Sequence, residues 1–262
     1  MSPTQLSITN LSVSFGGIKA LTDVSFTVPK NSVVGLIGPN GAGKTTVFNC
    51  ISGLVKSDSG KFEFDGAERA FPKPHELVDL GITRTLQGVG LFNELSVLQN
   101  VMVGADKKYK PNFVKELFGL SGKVEANLKE RAEEALAWVG GASLIDNKPS
   151  ELSYPDSKRV ALARALVINP SLLMLDEPAA GLGQDDIDAL ASLIKQLKRR
   201  CSILIVEHHV DFVREISDSV NVLNFGKLIA SGSYDEVKKN PAVIEAYLGH
   251  TDNPDENSKL GA

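Results

Sequence analysis

Hydrophobic residues alternate with polar ones through the first part of the chain. The alternation predicts two antiparallel strands within residues 6–28, each with one face toward water, separated by the Gly16-Gly17 pair. Residues 60–66 predict another short strand that ends in a glycine turn, and residues 220–230 predict a hairpin that turns at Gly226. The hydrophobic positions of the first two strands are Leu6, Ile8, Leu11, Val13 and Phe15, then Val24, Phe26 and Val28.

Three other apolar runs are short and uninterrupted. They cover residues 32–37, 172–175 and 202–206, and runs of this length are typical of strands buried in a parallel sheet. A helical segment at residues 185–199 lies between the last two runs. Buried strands that alternate with helices predict an α/β fold.

Helical spacing dominates the middle of the chain. From about residue 101 to residue 150 the hydrophobic positions recur at helical intervals, which predicts a helical lobe with Trp138 as an anchor packed under it. Ser153 and Asp156 then stand at the spacing of an N-terminal capping pair, and Pro155 is tolerated in a first helical turn. Capping explains these residues without any ligand.

A glycine-rich loop follows the first buried run. Residues 38–46 read Gly-Pro-Asn-Gly-Ala-Gly-Lys-Thr-Thr, which is the spacing of a phosphate-binding loop between a strand and a helix. The glycines let successive N–H groups point at phosphate oxygens, and the helix N-terminus adds a positive partial charge. Lys44 supplies a charge for the β- and γ-phosphates, and the Thr45 hydroxyl is placed to ligate Mg²⁺. The predicted nucleotide contacts are Gly38, Asn40, Gly41, Gly43, Lys44, Thr45 and Thr46.

Two adjacent carboxylates, Asp176 and Glu177, follow the apolar run at residues 172–175. In an open α/β sheet, ligands bind at the edge formed by the carboxyl ends of the strands. Burying paired carboxylates is costly unless a cation offsets them, and Mg²⁺ near Thr45 is the cation we expect. Asp176 is therefore predicted to hold Mg²⁺ through water, and Glu177 to take a proton from the attacking water.

Three residues have both a functional and a structural interpretation. Gln87 ends a strand-like segment beside glycines, where its amide either reaches a metal or water or is simply satisfied at a strand end. His208 follows the run at residues 202–206, and this position favours a hydrogen bond to a γ-phosphate over a purely structural role. Phe15 either stacks on an adenine ring or is the third inward residue of its strand, and the spacing leaves both open.

Composition narrows the classes of protein. The 262 residues suit one large domain or a core with a lobe, and no apolar run approaches the roughly 18 residues that a membrane helix needs. The net charge of −4 lacks the basic footprint of a nucleic-acid binder. Cys50 and Cys201 are predicted to be reduced core thiols. No leader is evident after Met1, so we expect a cytosolic chain unless a partner holds it at a membrane.

Five motifs, in order and spacing, resemble those of the ATP-binding subunits of ABC transporters. They are the phosphate loop, Gln87, Leu152-Ser153, residues 172–178 and His208. Within that family the chain looks most like the ATPases of branched-chain amino acid importers and their urea or amide relatives. The narrower likeness is carried by residues 84–87 with Leu91-Phe92, and by residues 246–249.

The resemblance implies an architecture. It is a P-loop NTPase core with an N-terminal antiparallel β subdomain and an inserted helical subdomain at about residues 88–168. Together these form an ABC ATPase domain over residues 1–250, and residues 251–262 are predicted to be a flexible tail. The resemblance also implies a head-to-tail dimer in which each ATP lies between the phosphate loop of one subunit and Ser153 of the other.

The resemblance also implies roles and partners. The catalytic residues would be Glu177, His208 and Gln87, and Mg²⁺ would be held by Thr45, Gln87 and Asp176. Gln87 and the lobe near Phe92 would contact transmembrane permease subunits, which would hold the chain peripherally on the inner face of the cell membrane. Closure of the dimer on ATP would power import, because ATP binds the closed state more tightly than the open one.

Three departures from the family pattern concern the signature segment, Gly183 in the loop after the carboxylates, and His209, which stands where Asp is common. The family signature Leu-Ser-Gly-Gly-Gln, in which Tyr is common at the third place, here reads Leu-Ser-Tyr-Pro-Asp at residues 152–156. Pro155 removes a backbone donor. Asp156 brings a negative charge toward the opposing ATP, and one pair of like charges at ~4 Å costs about 4 kcal/mol at an effective dielectric near 20. Gly183 stands where Asp or Asn is usual. A weak signature favours pairing with a second, different ABC ATPase over a homodimer.

Two alternatives remain open at this stage. One is a soluble ABC ATPase that works on ribosomes or DNA, but the two fused cassettes or long coiled-coil insertion usual in those proteins are not evident. The other is a nucleotide-gated clamp with little turnover, against which Glu177 argues. The transported solute is not encoded in this chain, because its pocket would lie in other subunits.

Overall fold

The computed structural model describes residues 3–85, 88–105 and 121–248. The chain divides into two compact units, which are described separately. The first unit comprises Met1–Pro74 with Ser202–Ala262, and the second comprises His75–Cys201. The predicted boundaries of the helical subdomain stay a prediction, and the predicted tail at residues 251–262 lies outside the described residues.

The first unit contains an antiparallel sheet and a set of parallel strands. The strands of this unit are β1 Thr4–Phe15, β2 Ile18–Pro29, β3 Val33–Ile37, β4 Ser59–Phe64, β5 Ala67–Arg69, β8 Ser202–Val206, β9 Ser219–Asn224 and β10 Lys227–Gly232. The antiparallel sheet has the order β2-β1-β4-β5, and the parallel set has β3 between β8 and β9, with β10 antiparallel to β9. Its helices are α1 Lys44–Ile51, α7 Val210–Ile216, α8 Tyr234–Val237 and α9 Pro241–Leu248.

Bulges explain why the alternation at the start of the chain is irregular. The pairing of β1 with β2 shifts register between Ile8 and Leu11, yet both side chains are buried. Asn10 lies in this interval with φ of 51°, and its N–H donates to Ser25 Oγ at 2.8 Å. A bulge adds one residue to a strand, so the inward face resumes after an odd step. Asp23, also at φ 51°, interrupts β2 in the same way.

The three short apolar runs form buried strands, as predicted. Every residue of β3 and β8 is buried, and so is every residue of the strand Leu172–Asp176 in the second unit. A strand that is covered on both faces needs apolar side chains at consecutive positions, which is why these runs show no alternation.

The second unit contains one parallel strand pair and several helices. The strands are β6 Ile82–Arg84 and β7 Leu172–Asp176, which pair in parallel from Ile82 opposite Leu172. The helices are α2 Leu77–Leu80, α3 Val97–Val103, α4 Ser121–Trp138, α5 Tyr154–Leu166 and α6 Gln184–Leu197, and single 3₁₀ turns lie at Pro74–Glu76, Ala142–Leu144 and Pro149–Glu151.

Two expectations for the helical lobe are corrected. The first helix begins at Val97 and not near residue 101, because Ser96 and Gln99 form a capping box that fixes its start. Trp138 is 37% exposed rather than packed beneath the lobe, and the guanidinium of Arg200 lies 3.8 Å from the centre of its ring. A cation over the indole face stabilises a ring that the core leaves uncovered.

Candidate functional site

The glycine loop connects β3 to α1 in the first unit, and two of its glycines admit no side chain. Gly38 has φ of 148°, and a Cβ there would lie 2.1 Å from the backbone oxygen of Leu223. Gly43 has φ of 105°, and a Cβ there would lie 2.7 Å from Leu21 Cδ2. The loop therefore keeps a backbone path that a residue with a side chain cannot follow.

Lys44 is buried at the start of α1 and folds back over this loop. Its Nζ donates to the carbonyl oxygens of Gly38 at 2.7 Å and Pro39 at 2.9 Å. The first turn of α1 carries no acidic residue, so its exposed N–H groups and Lys44 together favour an anion. Of the other predicted contacts, Asn40, Gly41 and Thr45 are exposed. Thr46 is half-buried.

The C-terminal helix α9 supports the loop from below. Burial raises the pKa of the Tyr247 phenol to about 12, and an interaction with the backbone of Gly38 acts in the opposite direction. Its ring packs on the cluster that contains Ile37, the residue directly before the loop, and Val243. The end of β3 is therefore held both by apolar packing and by a polar contact.

Phe15 is 50% exposed, whereas Leu11 and Val13 are buried. The interpretation of Phe15 as a core residue is therefore wrong, because the strand ends at Phe15 and the turn at Gly16 leaves the ring uncovered. Its stacking on adenine stays a prediction.

The segment after β8 carries the two histidines. His208 is exposed, so its imidazole is accessible from solvent. Its predicted hydrogen bond to a γ-phosphate stays a prediction. His209 is the N-cap of α7, and its Nδ1 accepts a hydrogen bond from Phe212 N at 3.2 Å. Glu207 is buried, and its Oε2 accepts hydrogen bonds from the backbone N–H groups of His208 at 2.8 Å and His209 at 3.2 Å. Sequence reasoning missed this structural carboxylate.

In the second unit, Asp176 lies at the end of β7 with a cation that the sequence interpretation missed. Arg84 in β6 donates from one terminal nitrogen to Asp176 Oδ2 at 2.6 Å. The side chains are 10% and 6% exposed, respectively. The N–H of Asp176 donates to Thr85 Oγ1 at 3.3 Å. We expected Mg²⁺ to be the cation that offsets the charge of Asp176. That expectation is corrected, because Arg84 of the same unit offsets this charge.

Glu177 is half-buried and has φ of 47°, a left-handed conformation that few non-glycine residues adopt. It opens a tight loop in which Ala180 N donates to the Glu177 carbonyl at 3.2 Å. A cavity of about 270 Å³ in this unit is bordered by Asp176, Glu177, Leu162 and Leu193. Glu177 thus borders space large enough for water and small solutes.

The signature segment begins helix α5. Ser153 is its N-cap and its Oγ accepts from Asp156 N at 3.2 Å, which confirms the predicted capping pair. The Ser153 hydroxyl also lies 2.7 Å from Asp156 Oδ2. Arg159 bridges Asp156 at 2.8 Å and Asp186 at 2.9 Å. The charge that Asp156 brings to the signature is therefore offset by a guanidinium of its own helix.

Gln87 lies outside the described residues, so its predicted roles are not tested. The segment that follows it is held by the half-buried Arg164 and the buried Asn100. Arg164 donates to the carbonyls of Val89 and Gly90 at 3.0 and 2.8 Å. Asn100 is fully buried and donates to the carbonyl of Phe92 at 3.0 Å, and to those of Leu95 and Ser96. This network leaves the Phe92 side chain 52% exposed on an ordered segment.

Comparison with known proteins decides the family. The profile of the family described as ABC transporter matches residues 21–180, which include the glycine loop, the signature and the paired carboxylates. The chain belongs to the ABC transporter family. A second profile, described as branched-chain amino acid ATP-binding cassette transporter, matches residues 227–253.

This ABC ATPase has known relatives of similar length. It is 36% identical over 254 residues to the high-affinity branched-chain amino acid transport ATP-binding protein BraF of Pseudomonas aeruginosa, covering 95% of this chain and 99% of the relative. The identity and coverage are the same for LivG of Escherichia coli, which bears the same description. The crystal structure of the ADP conformation of an ATP-binding cassette of an ABC transporter superposes with a TM-score of 0.81 at 32% identity, over 94% of this chain and 99% of that one.

The α/β fold with a P-loop NTPase core is thereby confirmed, and the protein is an ATP-binding ATPase of the ABC class. None of the helices in the described part of the chain has the length and hydropathy of a membrane span. Over the same residues, no three or more His, Cys, Asp or Glu side chains are grouped so as to hold a metal ion.

Proposed function

We propose that this ABC ATPase is the ATP-hydrolysing subunit of an importer for branched-chain amino acids or a related small solute, and that ATP-driven closure of a dimer powers transport. The observation that carries the proposal is the glycine loop around Lys44, in which Gly38 and Gly43 leave no room for side chains. The match of residues 227–253 to the branched-chain amino acid cassette profile, together with relatives such as BraF and LivG, supports the class of solute.

The residues fit ATP with Mg²⁺. The loop amides and Lys44 would hold the phosphates, and the half-exposed ring of Phe15 would stack on the adenine. Hydroxyl and carboxylate oxygens are ligands that Mg²⁺ prefers, so Thr45, Gln87 and Asp176 would hold the ion. When bound, Mg²⁺ neutralises charge on the β- and γ-phosphates. The fixed conformation of the Gly38 and Gly43 backbone is the feature that a phosphate cradle requires.

Glu177 would accept the proton of the attacking water, and His208 would hydrogen-bond the γ-phosphate. The bound ATP would also contact Ser153 of the opposing subunit, so the site would be completed only in the dimer. The exposed Phe92, on a segment ordered by Asn100, fits a contact with a transmembrane permease. Such a contact would hold the chain peripherally at the inner face of the cell membrane.

The proposal is tested with the purified chain and two variants. Lys44→Ala should lose nucleotide binding, whereas Glu177→Gln should bind ATP normally and hydrolyse it at least about 100-fold more slowly, as expected when a general base is removed. Glu130→Gln, on the exposed face of α4, is the matched control and should keep the wild-type rate. Wild-type turnover in Glu177→Gln would refute the proton-acceptor role.

The pairing of subunits needs its own experiment. We infer an asymmetric pair with a second, different ABC ATPase, because Pro155 removes a backbone donor from the signature that this chain would present and Asp156 replaces its usual amide. Arg159 offsets the added charge but does not restore the missing donor. The ATPase rate of the chain alone is compared with that of its mixture with the paralogous cassette. A lone chain that hydrolyses ATP as fast as the mixture would favour a homodimer.

Transport is tested by capture from detergent-solubilised membranes followed by reconstitution. The tagged chain should retain a permease, and proteoliposomes that contain the complex and its solute-binding protein should take up leucine, isoleucine or valine only with ATP. Capture of ribosomal or DNA-bound material instead would favour the soluble alternative. Tight ATP binding with negligible turnover in the full complex would favour the clamp.

A further inference from the structure

The loop after β7 connects the predicted proton acceptor to α6. This loop, residues 177–183, is named here the post-strand loop. Glu177 starts it at φ 47° and Gly181 continues it at φ 75°. A left-handed residue that is not glycine costs of order 1 kcal/mol or more, so surrounding contacts must hold Glu177 in this conformation.

Lys158 supplies such contacts from the second turn of α5. Its half-buried Nζ donates to three carbonyl oxygens of the post-strand loop, those of Glu177 at 3.2 Å, Pro178 at 2.9 Å and Ala180 at 2.6 Å. An ammonium group has three rotatable donors, and hydrogen bonds from a charged donor are about twice as strong as neutral ones. One side chain thus gathers three carbonyls that would otherwise repel one another.

Tyr154, the first residue of α5, contacts the same loop. Its hydroxyl lies 3.4 Å from the Ala180 carbonyl, and its ring lies so close to Gly181 that a Cβ there would be 2.9 Å from Cε1. The Nζ of Lys158 is 5.3 Å from the centre of the Tyr154 ring, within cation–π range. The start of α5 and the post-strand loop are therefore tied together at several points.

We propose that Lys158 is a positioning residue for ATP hydrolysis, which sets the backbone of Glu177 and links it to the helix that begins at the signature. The inference rests on the proposed role of Glu177. Within one chain, Ser153 would face the partner's ATP while Glu177 serves the chain's own ATP. Lys158 then couples the two nucleotide sites of the dimer.

The proposed coupling does not depend on the residue at position 183. Gly183 has no side chain with which to contact a second site, although Asp or Asn is usual there in the family. The link through Lys158 needs no side chain at residue 183, because it uses main-chain carbonyls of residues 177–180. Displacement of the signature helix would therefore be transmitted to the Glu177 backbone.

The first test is steady-state ATPase activity of Lys158→Gln, with Lys129→Gln on the exposed face of α4 as the matched control. Because a small misplacement of a catalytic group costs much of the rate, kcat should fall by about tenfold or more. The KM and the affinity for a fluorescent ATP analogue should stay within about twofold of the wild-type values, since the proposal gives Lys158 no role in binding the nucleotide. A wild-type kcat in folded Lys158→Gln would overturn it, as would an equal fall in Lys129→Gln.

A conservative variant guards against misfolding. Lys158→Arg keeps the charge, but its planar guanidinium directs its donors in a fixed fork and cannot converge on three carbonyls in the same way. Its kcat should lie between those of the wild type and Lys158→Gln. A merely structural lysine would instead lower the melting temperature of both variants and leave kcat per folded molecule unchanged, which would contradict the proposal.

Combination with Glu177→Gln separates this inference from the proposed function. If Lys158 acts through Glu177, Lys158→Gln should not reduce the residual single-turnover rate of Glu177→Gln further. A further tenfold fall in the double variant would show that Lys158 acts elsewhere. If Glu177→Gln alone hydrolyses ATP normally, the proposed role of Glu177 fails whatever Lys158 does. If Glu177→Gln is inactive and Lys158→Gln is normal, only the present inference fails.

Discussion

The guanidinium of Arg84 lies 2.6 Å from the carboxylate of Asp176, and both side chains are almost fully buried. The two residues end neighbouring parallel strands, so the pair lies where ligands bind in sheets of this kind. Arg84 thus offsets the negative charge of Asp176 at the end of β7.

Removal of this arginine should be costly. We expect Arg84→Met to lower the free energy of unfolding by about 3 kcal/mol, because it leaves a buried carboxylate without its partner. Urea unfolding measures the change. Arg84→Met with Asp176→Asn should recover most of the loss, since neither charge then remains buried. A loss below about 1 kcal/mol in the single variant would mean that water or another group satisfies Asp176.

The signature offers a second charge test. Arg159 offsets the charge of Asp156. Arg159→Gln should therefore leave an uncompensated carboxylate that faces the opposing nucleotide. ATP-dependent dimer formation should weaken by about tenfold, which corresponds to about 1.4 kcal/mol. Asp156→Gln in the same chain should restore it. Light scattering with ATP measures the dimer, and high salt should reduce the difference. Equal dimerisation of the wild type and Arg159→Gln would show that Asp156 does not meet the nucleotide.

The contact between Tyr247 and Gly38 predicts an effect of the C-terminal helix on nucleotide binding. Tyr247→Phe keeps the apolar packing on Ile37 and removes the hydroxyl that interacts with the backbone of Gly38. A polar interaction of this kind is worth about 1 kcal/mol. The dissociation constant for ADP should rise by up to about fivefold, as measured by fluorescence titration. Tyr234→Phe, in the same cluster, is the control and should bind ADP normally. Unchanged binding in both variants would limit Tyr247 to packing.

Alkaline pH should destabilise the protein. Burial raises the pKa of Tyr247 to about 12, and it raises the pKa values of the Cys50 and Cys201 thiols to about 11 and about 12. The unfolded chain loses these protons first, at values near 10 for tyrosine and near 9 for cysteine. Stability from these groups is therefore complete below about pH 8 and falls between about pH 9 and 12.

Urea midpoints at pH 7.5, 9 and 11 check this dependence. The midpoint should fall progressively over that range, and the fall above pH 10 should be smaller in Tyr247→Phe, which lacks one of the three groups. A flat profile to pH 11 would mean that these side chains are accessible to solvent in the folded protein.

Much of the fold is evident from local pattern. The buried strands appear as unbroken apolar runs, and Gly226 with the flanking alternation predicts the hairpin that the structure shows. The cap at Ser153 follows from a polar residue three positions later in the sequence, Asp156. These features involve neighbours in the chain, so their hydrogen bonds and periodicity can be read from adjacent residues.

The amino-acid sequence alone determined that this protein has a phosphate loop, a pair of carboxylates after a buried strand, and the motifs of an ABC ATPase. Only the tertiary structure decided that Arg84, 92 residues away, offsets Asp176, that Lys158 holds the backbone of Glu177, and that Phe15 is outside the core. Such contacts join residues from separate elements, and a bulge or a strand end changes which side chain is covered. No local periodicity records these distances, because they are set by packing between elements and not by spacing along the chain.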